Sequence, residues 1–184
     1  MPNYRRRYVP GGCWFFTVNL LDRRTTLLTD HIDALRQATR ETVRDHPFRI
    51  GAWVVLPDHP HAIWRLPPDD ADFSTRWRLI KTRFARAIPR GERLSPTRIA
   101  RGERGIWQRR FWEHLIRDED ELGRYVEYCA INPVKHGYVL RAIDWPYSSF
   151  HRDVRRGLFA ADWGIDVTMT GDFGERQGTR GRVG

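Results

Sequence analysis

The sequence predicts an α+β fold, an antiparallel sheet with helices packed on one face. Three observations carry that prediction. Four short stretches read as strands and three longer ones as helices, in the order strand, helix, strand, strand, helix, strand, helix. Pro57-Asp58 falls between the second and third strands as a turn that pairs them in a hairpin. The length of 184 residues with 40% hydrophobic content suffices for one domain with a real core. The order is that of the ferredoxin-like split βαβ arrangement, a topology shared by many unrelated functions, so it assigns no activity.

Each element has a local reason. Residues 14–20 (WFFTVNL) are aromatic and β-branched behind Gly11-Gly12, which suits a strand. Thr29 or Asp30 caps a helix over 31–45, with Ile32, Leu35, Ala38, Thr39 and Val43 at helical spacing and Pro47 as its stop. Residues 48–56 and 59–66 are the hairpin strands. A helix over 73–88 sets Trp77, Ile80, Phe84 and Ile88 on one side and basic residues on the other. The Gly-, Pro- and Arg-rich stretch 89–105 is a connection, and 106–117 is a fourth strand. Asp118 caps a helix running to about Ile131, where Asn132-Pro133 is expected to stop it. A short helix near 148–156 completes the packed part. Residues 1–163 form the expected domain, and 164–184, with six glycines, form a loose tail.

Several classes are excluded at this level. No stretch approaches the roughly 20 apolar residues of a membrane span. Arg5-Arg6-Arg7 precedes an apolar run at 13–21, but Thr17 and Asn19 interrupt it and no small-residue cleavage site follows, which argues against a signal peptide. Cys13 and Cys129 have neither metal-knuckle nor disulfide-framework spacing. A cytoplasmic location is the expectation.

The charge is concentrated. Lys plus Arg is 32 against 23 acids, a net +9. Between Arg76 and Arg110 there are 12 basic residues and two acids, and the rest of the chain is close to neutral. Eleven of those 12 are Arg, whose planar fork suits phosphate contacts and stacking on bases, so the belt points to a polyanionic partner. A merely solvated basic face is the plainer reading of the same count.

Two sets of residues can do chemistry. His59 and His61 alternate on one strand, so both imidazoles project from one face, as gripping a single metal ion requires. A zinc hydrolase of the His-x-His-x-Asp-His type is excluded, because Ile63 and Trp64 stand where it needs Asp and His. On the helix from Asp118, Tyr128 and Asn132 are four apart and share a face. A phenol there can act as covalent nucleophile, and the Asn132 amide oxygen can serve as third ligand. Tyr125, at seven residues, is the more distant rival.

Five ordered blocks carry a family resemblance. They are Tyr4-Arg5-Arg6 with Gly11–Leu20; Trp53–Trp64, containing Pro57-Asp58-His59-Pro60-His61; Ile106–His114; Tyr128–Gly137, containing Tyr128-Cys129-Ala130-Ile131-Asn132-Pro133; and Asp144–Asp153. Together the chain resembles the REP-associated tyrosine transposases, relatives of the single-tyrosine HUH transposases of insertion sequences. The resemblance implies that Tyr128 is the catalytic nucleophile and that His59, His61 and Asn132 hold a divalent metal, Mg or Mn. It implies cleavage and joining of single-stranded DNA at REP-type palindromic hairpins through a 5′-phosphotyrosine link, in a nucleoid-associated protein. Arg78, Lys81, Arg83, Arg86, Arg109 and Arg110 are expected along the hairpin phosphates, Arg5, Arg6 and Arg7 at its foot, and Lys135 beside the phenol. A monomer is expected. Pro60 departs from the family pattern, and because proline lacks an N–H its strand is expected at an edge, or unpaired at that point. A non-catalytic DNA or RNA hairpin-binding module is the alternative; it has no need of His59, His61 or Tyr128.

Overall fold

The computed structural model describes residues 8–91, 96–100, 102 and 104–164. The sheet has four strands, β1 (Cys13–Thr17), β2 (Arg49–Val55), β3 (Pro60–Arg65) and β4 (Trp112–Ile116), in the order β2-β3-β1-β4. Every pairing is antiparallel, with Thr17 opposite His61 on one side of β1 and Trp112 on the other. The helices are α1 (Leu27–Asp30), α2 (Ile32–Asp45), α3 (Phe73–Ala87), α4 (Pro96–Ala100), α5 (Glu119–Lys135) and α6 (Phe150–Arg155), with a 3-10 turn at Ala142–Asp144. The expected split βαβ order is present. Within the stretch expected to be irregular, α4 adds a short turn of helix, and the fourth strand starts at Trp112 rather than near 106 because residues 106–108 run along the Asn19-Leu20 backbone instead.

Two sequence expectations are corrected. The helices cover both faces of the sheet, not one. Trp14, Phe16 and Trp64 point toward α2 and α3, where Trp64 stacks on Trp77 at 4.3 Å. Phe15 and Ile63 point the other way and are covered by Tyr125 and Tyr128 of α5. All five residues of β1 are buried, as a strand sandwiched between two layers requires. The second correction concerns Pro133, which lies inside α5 rather than ending it. Pro133 is buried in the last turn of α5, where packing outweighs the missing N–H and the crowding of the carbonyl one turn back.

Pro60 is accommodated without an edge. β3 lies between β2 and β1, and Pro60 is its first residue, with its carbonyl accepting from the Val18 N–H at 3.2 Å. The absent N–H costs one bond of the ladder at that point, where the chain following β1 stays paired through Val18 N–H to Pro60 O and Leu20 N–H to Asp58 O. The true edge at β2 is closed by residues 147–149: Val55 N–H donates to Tyr147 O and Ser149 N–H to Trp53 O.

Candidate active site and nucleic-acid interface

The end of β1 and the start of β3 bring the histidines to α5. His61 sits opposite Thr17, whose hydroxyl lies 2.9 Å from His61 Nδ1. His59 precedes the strand, and its Nδ1 donates to Asp58 Oδ1 at 2.7 Å. Both rings are buried and meet edge to face at 4.9 Å between centroids. With each Nδ1 engaged by an oxygen, Nε2 is the atom of each ring suited to a ligand.

Asp58 is itself held. Arg23 Nε donates to its carboxylate, and Arg23 Nη1 donates to Asn19 Oδ1 at 2.6 Å. Burial pushes the Asp58 carboxyl up, yet the hydrogen bond from His59 and the Arg23 guanidinium together outweigh it and hold it below the ordinary carboxylate value. Asp58 and Arg23 were not singled out from the sequence. The position of Asp58 directly before His59 was the available signal.

Tyr128 is fully buried on α5, its ring 5.2 Å from His61 and 5.9 Å from Phe15. Lys135, two turns along the same helix, donates from Nζ to Tyr128 Oη at 3.2 Å and lies 4.7 Å from the ring centroid. The ammonium is thus placed where negative charge on the phenol oxygen is stabilised. Asn132, fully buried, lies one turn from Tyr128 on the same face. Tyr125 packs instead against Phe15 at 4.5 Å and His114 at 5.2 Å. His114 pairs with Glu121 at 2.8 Å and stacks on Trp112, and His151 contacts the Trp145 carbonyl at 2.8 Å. His136 stands 5.5 Å from His59.

Among the described residues, no group of three His, Cys, Asp or Glu side chains is arranged to hold a metal ion. The donors that could hold a cation here are the imidazoles of His59 and His61 and the amide oxygen of Asn132. Such a donor set suits a divalent ion of the Mn, Zn or Ni type and accommodates Mg less readily.

The basic belt divides by environment. Arg76 is buried and donates to the carbonyls of His46, Asp72 and Pro47 and to Asp70 Oδ2 at 2.6 Å. Arg104 donates to the carbonyls of Ala85, Ile88 and Pro89, satisfying the end of α3. Arg83 donates to Asp45 at 2.5 Å and to Thr42, so its charge is neutralised between α2 and α3. Lys81 donates to Gln108 O at 3.0 Å and lies 5.2 Å from the Phe111 ring. Arg78, Arg86, Arg109 and Arg110 are exposed. Arg78, Lys81, Arg86, Arg104 and Arg109, with Trp107, line a groove of about 570 Å³ between α3 and residues 104–111. Arg5, Arg6 and Arg7 lie outside the described residues, as does most of the tail expected at 164–184.

A split βαβ sheet that brings His59 and His61 beside a tyrosine of a later helix, with a basic groove on the opposite face, is a frame suited to a protein that handles nucleic acid. No protein-family profile matches the chain. The REP-associated tyrosine transposase of Escherichia coli (strain K12) is 52% identical over 178 residues, 96% of this chain and 98% of that protein. A Haemophilus influenzae protein described under the same family name is 46% identical over 176 residues, 94% of this chain and all of that one. A solved structure of a REP-associated tyrosine transposase bound to a REP hairpin superposes with a TM-score of 0.79, covering 92% of this chain and 95% of its own. The chain belongs to the REP-associated tyrosine transposase family. Among the described residues, no helix is long and apolar enough to cross a membrane.

Proposed function

We propose that the chain is a metal-dependent single-stranded DNA endonuclease and strand transferase acting on REP-type palindromic hairpins. The observation that carries this reading is the convergence of His59, His61, Tyr128 and Lys135 at one end of the sheet, where the phenol oxygen already accepts a hydrogen bond from an ammonium. The relative solved with a REP hairpin supports the choice of substrate.

Tyr128 Oη attacks the scissile phosphorus; the P–O3′ bond breaks, the phenolic proton departs, and the 3′ oxygen leaves as a hydroxyl. The product is a 5′-phosphotyrosine and a free 3′-OH, and attack by a 3′-OH reverses the step and joins strands without water or ATP. Lys135 stabilises the phenol oxygen as its charge develops. His59, His61 and Asn132 would hold the divalent ion, which when bound polarises the phosphoryl oxygens. Arg78, Arg86, Arg109 and Arg110 face the hairpin phosphates, while Lys81 shapes the groove wall, Arg83 braces α3 against α2, and Arg5, Arg6 and Arg7 reach the foot of the hairpin. The protein acts as a monomer.

The test is a denaturant-resistant protein–DNA adduct formed with a single-stranded palindrome carrying a 5′ flank, in Mn or Mg. Tyr128→Phe is expected to abolish the adduct and Tyr125→Phe to retain it. An adduct that survives Tyr128→Phe and disappears in Tyr125→Phe moves the nucleophile; no adduct with the unaltered protein leaves only the hairpin-binding alternative.

A further inference from the structure

We infer that His136 and Tyr138 form a stacking subsite for an unpaired DNA base flanking the scissile phosphate; this rests on the reading of the His59–Tyr128 cluster as the cleavage site. The subsite begins with how α5 ends. His136 N–H donates to Asn132 O, Gly137 N–H to Val134 O at 2.9 Å and Tyr138 N–H to Pro133 O at 2.9 Å. Those last two bonds, with Gly137 at φ +74°, are the paired closing bonds of a Schellman motif. The motif fixes the backbone of Tyr138 directly after the helix that carries Tyr128 and Asn132.

The side chains then line up outward from the cluster. His136 meets His59 at 5.5 Å, nearly perpendicular. Tyr138 lies nearly parallel to His136 at 6.0 Å, and Trp145 nearly parallel to Tyr138 at 5.3 Å. Trp145 is anchored by donation from its Nε1 to the Val55 carbonyl at 3.0 Å. Both separations exceed the about 3.5–4 Å of face-on ring contact, so neither neighbour fully covers a face of Tyr138. Tyr138 accordingly keeps 44% of its surface exposed, an unusual state for an aromatic ring held in a stack.

The charge around this ladder suits a polyanion. Lys135 precedes His136 and is exposed, and Arg23, 41% exposed, lies beside Asp58 and His59. Asp58, the nearby acid, is already paired with Arg23 and His59. An exposed, backbone-pinned aromatic beside cations and next to a phosphate-handling centre is the arrangement that grips single-stranded nucleic acid by base stacking, with little dependence on base identity. The occupant is thus one unpaired nucleotide of the flank, not the paired stem.

The experiment uses the full chain in EDTA, so that binding is read without cleavage, and a palindrome hairpin with a 5′ flank carrying 2-aminopurine at one flank position at a time. With the unaltered protein, fluorescence is expected to fall several-fold at one position. Tyr138→Ala is expected to restore that fluorescence and to weaken binding of the flanked hairpin about 5- to 100-fold, while binding of the unflanked hairpin is unchanged. Tyr138→Phe is expected to preserve both the quench and the affinity. Absence of quenching at every position with the unaltered protein overturns the inference, as does equal binding by Tyr138→Ala. Because adduct formation is scored separately, an adduct without quenching removes only this subsite, whereas quenching without an adduct removes the cleavage reading.

Discussion

At the scale of single residues, the site depends on how a few side chains hold others. Asp58 fixes the ring of His59 through a 2.7 Å bond, and Arg23 fixes Asp58. A carboxylate in that place orients the imidazole and selects the tautomer that leaves Nε2 for a ligand. Asp58→Asn is therefore expected to weaken Mn²⁺ binding, measured by electron paramagnetic resonance titration, by about 10- to 100-fold. Thermal stability serves as the control, and unchanged Mn²⁺ affinity would separate Asp58 from the site. Lys135→Ala is expected to slow adduct formation with the hairpin still bound. Lys135→Arg, with a cation kept near the phenol, is expected to recover part of that rate.

Among the elements, α3 is locked to the turn before it by a single arginine. Arg76 binds three carbonyls and Asp70, so it organises the chain between Pro47 and Asp72 rather than facing a partner. The hydrogen bond from Arg76 is the leading reason that the Asp70 carboxyl lies below its ordinary value. A depressed folded value stabilises the protein above the unfolded carboxylate pKa of about 3.9 and loses that contribution as the pH falls through the folded one. The difference in urea midpoint between the unaltered protein and Asp70→Asn is thus expected to be present at pH 7 and to vanish in strong acid. A difference independent of pH would mean that shape, not charge, is what Asp70 supplies. Helix α5 shows the same dependence on its ends: Asp118 accepts from Glu121 N–H at 2.7 Å, and Glu119, Asp120 and Glu121 place negative charge at the positive end of the helix.

For the molecule as a whole, the groove and the candidate cleavage site occupy the same end of the sheet on opposite faces. Gln108, in the groove wall, donates from its backbone to Asn19 O, and the Asn19 side chain accepts from Arg23, which holds Asp58. DNA seated in the groove would thus reach the tyrosine by passing round that end, close to Arg23. Affinity for a palindrome hairpin is expected to fall steeply with salt, because contacts to several phosphates release counterions. Replacing Arg78, Arg86 and Arg109 one at a time by Ala is expected to lower the slope of log affinity against log salt by about one each. A salt-independent affinity, measured by fluorescence anisotropy, would make the groove a bystander.

The sequence by itself determined the order of the elements, the pairing of β2 with β3 through Pro57-Asp58, and the grouping of His59 with His61, since these follow from local periodicity and turn chemistry. It also set Tyr128 and Asn132 on one helical face. Only the tertiary structure decided that α5 crosses to the far face of the sheet, that Pro133 stays within it, and that Arg76, Arg83 and Arg104 serve the protein's own carbonyls and acids. The reason is physical: periodicity reports which side of an element is apolar, but not which layer covers it. A count of arginines likewise reports charge without the partner that neutralises it, and that partner is brought near only when the chain folds.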